Sequence, residues 1–366
     1  MTLSPRCRRL NFSTSSRLLP VAIAVLFCVA RLAAQTPAFT FFDTAGAGTG
    51  AGQGTVPWAI NQSGVIAGYY VDSSNLVHGF LRSAAGVITE FNATGLSSTY
   101  VSGINRKGQI VGNGAHLAGL TNYVHGFLRN PNGNFIHIDP AGPNGSQNTL
   151  FLAINDSGEM SGTYVDVAGG VVHGFLRSSS GVYTVVDEPD AVSNESGQGT
   201  FITGINASGE VTGYYNDANT FVINGFTRDS SGNFQIFSAP GSGNNFGTGT
   251  FASAVNTSGQ VTGDFLDNSF VSHPYLLSST GIMTEFSITA ATQTYALSLN
   301  DSGTVLGQYT DSGSLQHGFI FSQPANFILF SVPVPNTGTY PDSINDAGHM
   351  TGYYYDLGGA AHGFLK

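Results

Sequence analysis

One short pattern recurs seven times in this chain of 366 residues, and it restricts the fold more than any other feature. Aligned on the asparagine that ends an aliphatic-Asn pair, the copies fall at Asn61, Asn105, Asn155, Asn206, Asn256, Asn300 and Asn345, with spacings of 44, 50, 51, 50, 44 and 45. Six residues before each asparagine is a threonine, from Thr55 to Thr339. Three residues after it is a glycine, from Gly64 to Gly348, and seven after it is another, from Gly68 to Gly352. Self-similarity at a fixed period of roughly 40–50 residues marks an array, because a lone unit of that size cannot bury its own apolar face.

Each unit reads as four short strands. The first has the form Thr-aromatic-x-x-small-aliphatic-Asn, as in Thr99–Asn105. An Asn-x-Ser-Gly turn follows, in which Asn and Ser bond the local backbone and Gly supplies a positive φ. The second strand is like Val211–Tyr215, the third is the His-Gly-Phe-Leu-Arg of His78–Arg82, and the fourth is like Val87–Phe91. Aromatic and β-branched residues dominate, and no helical period appears. Strands apolar on both faces need a sheet covered on both sides. Glycines within the second and third strands mark the close approach of another segment. Four-stranded units stacked face to face describe the blades of a β-propeller.

The last unit has three strands and stops at Lys366, while Ala38–Gly46 is an orphan that matches the fourth strands of the other units. The sequence therefore predicts an all-β chain. It is a seven-bladed β-propeller of four-stranded antiparallel blades, its ring closed by the N-terminal strand joining the C-terminal blade. An open solenoid would instead carry capping repeats at both ends.

Segments such as Ile205–Gly213 and His173–Phe175 resemble the HAF-type "probable extracellular repeat" of secreted bacterial proteins, and the likeness covers about residues 39–366. This chain writes His-Gly-Phe where the family name implies His-Ala-Phe. Asn224 replaces the histidine in one unit, and His273-Pro274 breaks the motif in another. The resemblance implies a secreted repeat protein and brings no catalytic residue with it.

Arg6, Arg8, Arg9 and Arg17 precede the apolar run Leu18–Ala30, and small residues follow. That order predicts a signal peptide over residues 1–34 and one propeller domain over 35–366, in the periplasm or outside the cell. The 13-residue run falls short of a bilayer span, which needs ~20, so no membrane insertion is expected after cleavage. Both cysteines, Cys7 and Cys28, lie in the leader, which leaves residues 35–366 without a thiol for a disulfide, a nucleophile or a metal. Five of the 12 basic residues precede residue 35 and all 22 acids follow it, so the net charge there is 7 − 22 = −15. Such a balance argues against nucleic acid and anionic membranes as partners.

Several repeated side chains invite a chemical reading. His78, His125, His173, His273, His317 and His362 begin third strands, and Asp72, Asp166, Asp217, Asp267, Asp311 and Asp356 end second strands. Those places are expected to face each other across a hairpin, each Asp accepting from a His ring N–H. A pair repeated in every blade serves construction, whereas a metal needs three or four converging ligands. No metal and no cofactor are expected. The seven threonines either satisfy local backbone or ring the mouth of an axial channel. Among the variable connections, Asp187–Gly199 holds the densest acidic cluster. Asp187, Glu188, Asp190 and Glu195 are the candidate binding residues, because ligand contacts often sit on loops over a rigid scaffold.

No nucleophile elbow, zinc-protease helix, phosphate loop or dinucleotide fingerprint occurs, so no catalytic residue is assigned. The off-pattern polar residues Arg106, Lys107, His116, His137, Asp264 and His349 are scattered rather than paired. The expected function is a secreted, monomeric, non-enzymatic binding or interaction scaffold for an extracellular protein or glycan. The alternative is a propeller hydrolase or lyase acting on extracellular carbohydrate, with carboxylates drawn from separate blades.

Overall fold

The computed structural model describes residues 38–118, 121–140, 146–289 and 291–366. The expected leader, residues 1–34, lies outside them, as does the side chain of His116. The described residues form 28 β-strands and no helix.

The unit around Asn206 shows why the pattern folds as it does. Its strands are Thr200–Ile205, Val211–Asn216, Ile223–Arg228 and Phe234–Phe237, each antiparallel to the one before. Asn206 organises the first turn: its Oδ1 accepts from the amides of Ser208 and Glu210, both at 3.0 Å. Gly209 completes that turn at φ 80°, and the equivalent glycines of the other units all lie between 74° and 88°. A side chain there would be strained, which accounts for the first invariant glycine. The second has a different cause. Gly213 lies against the carbonyl of Phe201 and the ring of Phe226, where a Cβ would overlap both.

The core lies between successive units. Val186 of one unit packs with Ile202, Val211, Tyr215 and Phe226 of the next. Val111, Leu128 and Ile138 likewise pack with Ile154, Met160, Tyr164 and Phe175. Each sheet is thus covered on both sides, which is why its strands are apolar on both faces. Single parallel bridges tie neighbouring units at Val172↔Gly199, Ile223↔Gly249 and Ala361↔Gly54.

Thr40–Phe42 lies antiparallel beside Ala361–Leu365, with Phe41 opposite Phe364. Phe39 meets Phe364 edge-on at 5.3 Å, Lys366 Nζ sits 4.9 Å over the Phe39 ring, and Asp43 Oδ2 is 2.9 Å from His362 Nδ1.

Candidate functional site

The repeated polar residues prove to be construction. Opposite five of the six third-strand histidines stands not the aspartate but an aromatic ring: Tyr70↔His78, Tyr164↔His173, Phe265↔His273, Tyr309↔His317 and Tyr354↔His362, while His125 faces Gly114. The rings stack at 4.7–5.1 Å. The expected Asp–His bond forms in four hairpins, at 3.1–3.5 Å, but as the weaker of the two bonds each histidine makes. The aspartate belongs to the turn, where Asp72 Oδ1 accepts from the amides of Ser74 and Leu76 at 2.8 and 2.9 Å. Only its second oxygen reaches the histidine, at 3.2 Å for Asp72–His78 and a loose 3.9 Å for Asp166–His173. The closer partner lies on or just beyond the fourth strand. His Nδ1 meets Asn92, Asp139, Asp187, Ser331 or Asp43 at 2.7–2.9 Å. Hydrogen bonding to Asp187 and the charge of Asp187 and Asp166 outweigh burial and raise the His173 pKa.

The threonines are 0–5% exposed, which removes them from any channel mouth. The hydroxyls of Thr55, Thr99, Thr200, Thr250 and Thr339 accept backbone amides from the segment after a fourth strand, as in Glu188 N to Thr200 at 3.0 Å and Ala239 N to Thr250 at 2.8 Å. The loop acids divide. Asp187 is held by His173, and the buried Glu188 accepts the amide of Asp190 at 2.7 Å. These two border a cavity of about 210 Å³ together with His173, Val192 and Thr200. Asp190 and Glu195 are exposed. Ala191 bridges to Asp217, which puts this loop on the face that carries the turns between second and third strands.

The first strands surround a central cavity whose two ends differ. At one end the asparagines form a head-to-tail cycle. Each Nδ2 donates to the backbone carbonyl of the next unit's asparagine, and Asn345 donates to Asn61, all at 2.9–3.1 Å. The asparagines are 1–5% exposed. All seven units border the cavity of about 180 Å³ at this end. Its rim is occupied by its own bonds: Asp156 accepts from Arg106 N at 2.7 Å, Asp301 from Thr257 N at 2.9 Å, and Asp346 from Asp301 N at 2.8 Å.

The other end is built on a defect. In every unit the pairing of first and second strands slips by one residue, three positions before the asparagine. A β-bulge leaves that residue unpaired and re-aims it. The bulge residues are Trp58, Ser102, Leu152, Thr203, Ser253, Leu297 and Asp342. Three residues of strand place them roughly 10 Å from the asparagine cycle.

Around two of these bulges the wall is aromatic. Trp58 lies 6.2 Å from Tyr69, and Tyr69 lies 5.1 Å from Tyr100. Tyr340 stacks on Tyr353 at 5.1 Å, and Tyr355 stands edge-on to both at 5.4–5.5 Å. The two groups meet electrostatically, because Tyr69 and Tyr353 each sense Asp342. Burial, then the Asp342 charge, pushes the Tyr69 phenol up to about 12. Asp342 Oδ2 is closed off from solvent and has no hydrogen-bond partner. Desolvation holds its pKa well above the usual carboxylate range. Yet the site is open on its rim: Trp58 is 43%, Tyr100 40% and Tyr355 36% exposed.

A second enclosed acid, Asp264, follows the invariant glycine of a second strand. Burial pushes it up to about 8, although its Oδ1 accepts the Ala296 amide beside the next unit's bulge at 3.1 Å. Asp264 thus serves the wall, whereas Asp342 is left without a donor. Sequence reasoning passed over the bulge residues because their column does not repeat. Within seven otherwise strict strands, that variability was itself the available signal.

Solved structures share this architecture. The chain is similar to virginiamycin B lyase from Staphylococcus aureus, with a TM-score of 0.55 and 11% identity, covering 90% of this chain and 99% of that one. The BP39L lectin from Burkholderia pseudomallei gives a TM-score of 0.54 and 11% identity, over 83% of this chain and 92% of that one. The fold is a β-propeller. Acylaminoacyl peptidase from Pyrococcus horikoshii matches at a TM-score of 0.53 and 6% identity, over 82% of this chain and 49% of the peptidase chain. A lyase, a lectin and a peptidase have this fold in common and nothing narrower. Neither a protein-family model nor a curated protein sequence matches the chain.

Proposed function

We propose that this chain is a secreted, non-enzymatic binding module: a closed seven-bladed propeller that holds the end of a glycan in the aromatic mouth of its central cavity. The observation that carries the reading is Asp342 Oδ2, enclosed and unpartnered among partly exposed aromatic rings. An orphaned buried acceptor is costly in an empty site and is satisfied by a ligand that donates. Ring faces with a few polar groups suit a sugar, whose C–H face packs on aromatics while its hydroxyls hydrogen-bond. The seven bulged hairpins support a count of seven blades, and the pairing of Thr40–Phe42 with Ala361–Leu365 and the Asn345-to-Asn61 bond support ring closure. The HAF-type likeness and the leader favour export. Asp190 and Glu195 are assigned to the rim of the ligand face, and the module works as a monomer.

A glycan array probed with the purified protein and its Trp58→Ala variant tests this, with a hydrolysis and elimination assay on every polymer that binds. Binding that weakens at least tenfold in the variant, without turnover, is the expected result. Turnover would move the protein to the hydrolase or lyase reading, and a blank array would end the glycan reading.

A further inference from the structure

The mouth is not merely apolar; it is electron-rich and lacks a cation of its own. Among the described residues, the groups that act on Tyr69 and Tyr353 are Asp342 and other tyrosines, and none is basic. Six of the seven basic residues after residue 35 are committed elsewhere, and the exposed seventh, Lys107, lies on the turn after Asn105, at the asparagine end. Arg82, Arg129, Arg177 and Arg228 lie 4.7–5.8 Å over rings of fourth strands. Lys366 covers Phe39, and Arg106 pairs with Asp156 at the opposite end of the cavity. What remains at the aromatic mouth is π faces, phenol oxygens and one carboxyl, on a domain whose net charge is 7 − 22 = −15. Such a field concentrates cations at the opening.

A neutral sugar would leave this complementarity unused. A hydroxyl can donate to Asp342, but it brings no charge to the ring faces. An ammonium does both: it is attracted by tryptophan and tyrosine faces, and it gives a buried carboxylate a charged donor. We propose that the mouth selects glycans bearing a free amine, with the ammonium of a glucosamine-type sugar on Asp342 and its pyranose face against Trp58 and the neighbouring tyrosines. This rests on the reading of the mouth as a sugar site and narrows it. Burial raises the Asp342 pKa. Arrival of the ammonium favours the carboxylate and turns an unsatisfied acid into half of an ion pair.

The experiment is calorimetric titration of the purified protein at about pH 6, where an amine of this kind is protonated. The probes are chitosan tetramer, its fully N-acetylated counterpart and cellotetraose. Removing one partner of a buried charge pair costs enough that the free-amine tetramer should bind at least about thirtyfold tighter than the other two. In Asp342→Asn that preference should fall below about threefold, while Trp58→Ala should weaken all three probes alike. Equal binding of the three tetramers by the unaltered protein would overturn the amine preference and leave the sugar site standing. Failure of all three to bind would overturn both. Should Asp342→Asn not fold, the comparison of the tetramers on the unaltered protein decides the question by itself.

Discussion

The two ends of the central cavity are made by the same seven strands and obey opposite rules. At one end every unit supplies asparagine, every asparagine is buried, and each amide is used by the neighbouring unit. At the other, no single residue type is shared by all seven bulges, and Asp342 Oδ2 is used by nobody. Identity marks the places where one unit must fit the next. Difference is tolerated where the neighbours do not all demand the same side chain, and of the bulge residues Thr203 still donates to Ala252 of the next unit at 2.8 Å.

The contrast can be broken most directly by removing residues 38–45. The deletion takes away the strand beside Ala361–Leu365 and the aromatic contacts of Phe39 and Phe42. A loss of ~3–5 kcal/mol is expected from the half-buried rings of Phe39 and Phe42 and the lost strand pairing together. The new edge should also promote association. An unchanged melting curve and monodisperse sedimentation would show that the asparagine cycle does not need this strand.

A sharper version compares one residue from each end of neighbouring blades. Asn206→Ala removes donors and acceptors that serve its own turn and the Asn256 carbonyl, and should cost ~2–4 kcal/mol in urea unfolding. Ser253→Ala, at a bulge, should stay within ~0.5 kcal/mol. Similar losses from the two would erase the distinction drawn here.

Asp264 tests the enclosed wall by its pH dependence. Its folded pKa is raised to about 8, against ~3.9 when unfolded. Between those values the native state holds the extra proton, so stability falls as pH rises and the loss is complete above the folded pKa. Asp264→Asn keeps the acceptor for Ala296 N and escapes the penalty. It should match the unaltered protein near pH 4 and exceed it by ~1–3 kcal/mol near pH 8. A pH-independent difference would place the acid in solvent.

The smallest effect belongs to the outer hydrogen bonds. Coupling between His173 and Asp187 should be ~0.5–1 kcal/mol in a double-mutant cycle, and weaker between His173 and Asp166. Because the folded His173 pKa is raised, this increment is fully present below the unfolded value of ~6.5 and is lost as pH rises through the folded one. Equal couplings, or a larger one at alkaline pH, would make the Asp166 contact as strong as the Asp187 one.

How much of this was visible in advance follows from the same contrast. The threonine, asparagine and glycine columns announce the hairpins because each answers a backbone requirement that recurs in every blade: an incoming amide, a turn, a left-handed φ, a carbonyl too near for a Cβ. The fourth-strand partner of the histidine was harder to see. Asn92, Asp187 and Ser331 share only the ability to accept a hydrogen bond, and they lie 14 residues downstream of their histidines. Trp58 and Asp342 had no repeated counterpart at all, and only the slipped register brings them to one mouth. The acidic loop drew notice by its composition, yet its first two carboxylates are engaged by His173 and by the Asp190 amide.

The pairing of Thr40–Phe42 with Ala361–Leu365 also sets an order of events. Asp43 and His362 are 319 positions apart. Joining segments so distant costs only ~2 kcal/mol more in chain entropy than closing a loop the length of one repeat. Time is the larger obstacle. A ribosome delivers the chain from its N-terminus, so the intervening units can assemble from contiguous sequence while Thr40–Phe42 waits for Ala361–Leu365. Throughout that interval two β-edges of one molecule are exposed to any other molecule in the same state. Crowded synthesis therefore favours strand exchange between chains, and dilution favours pairing within one chain.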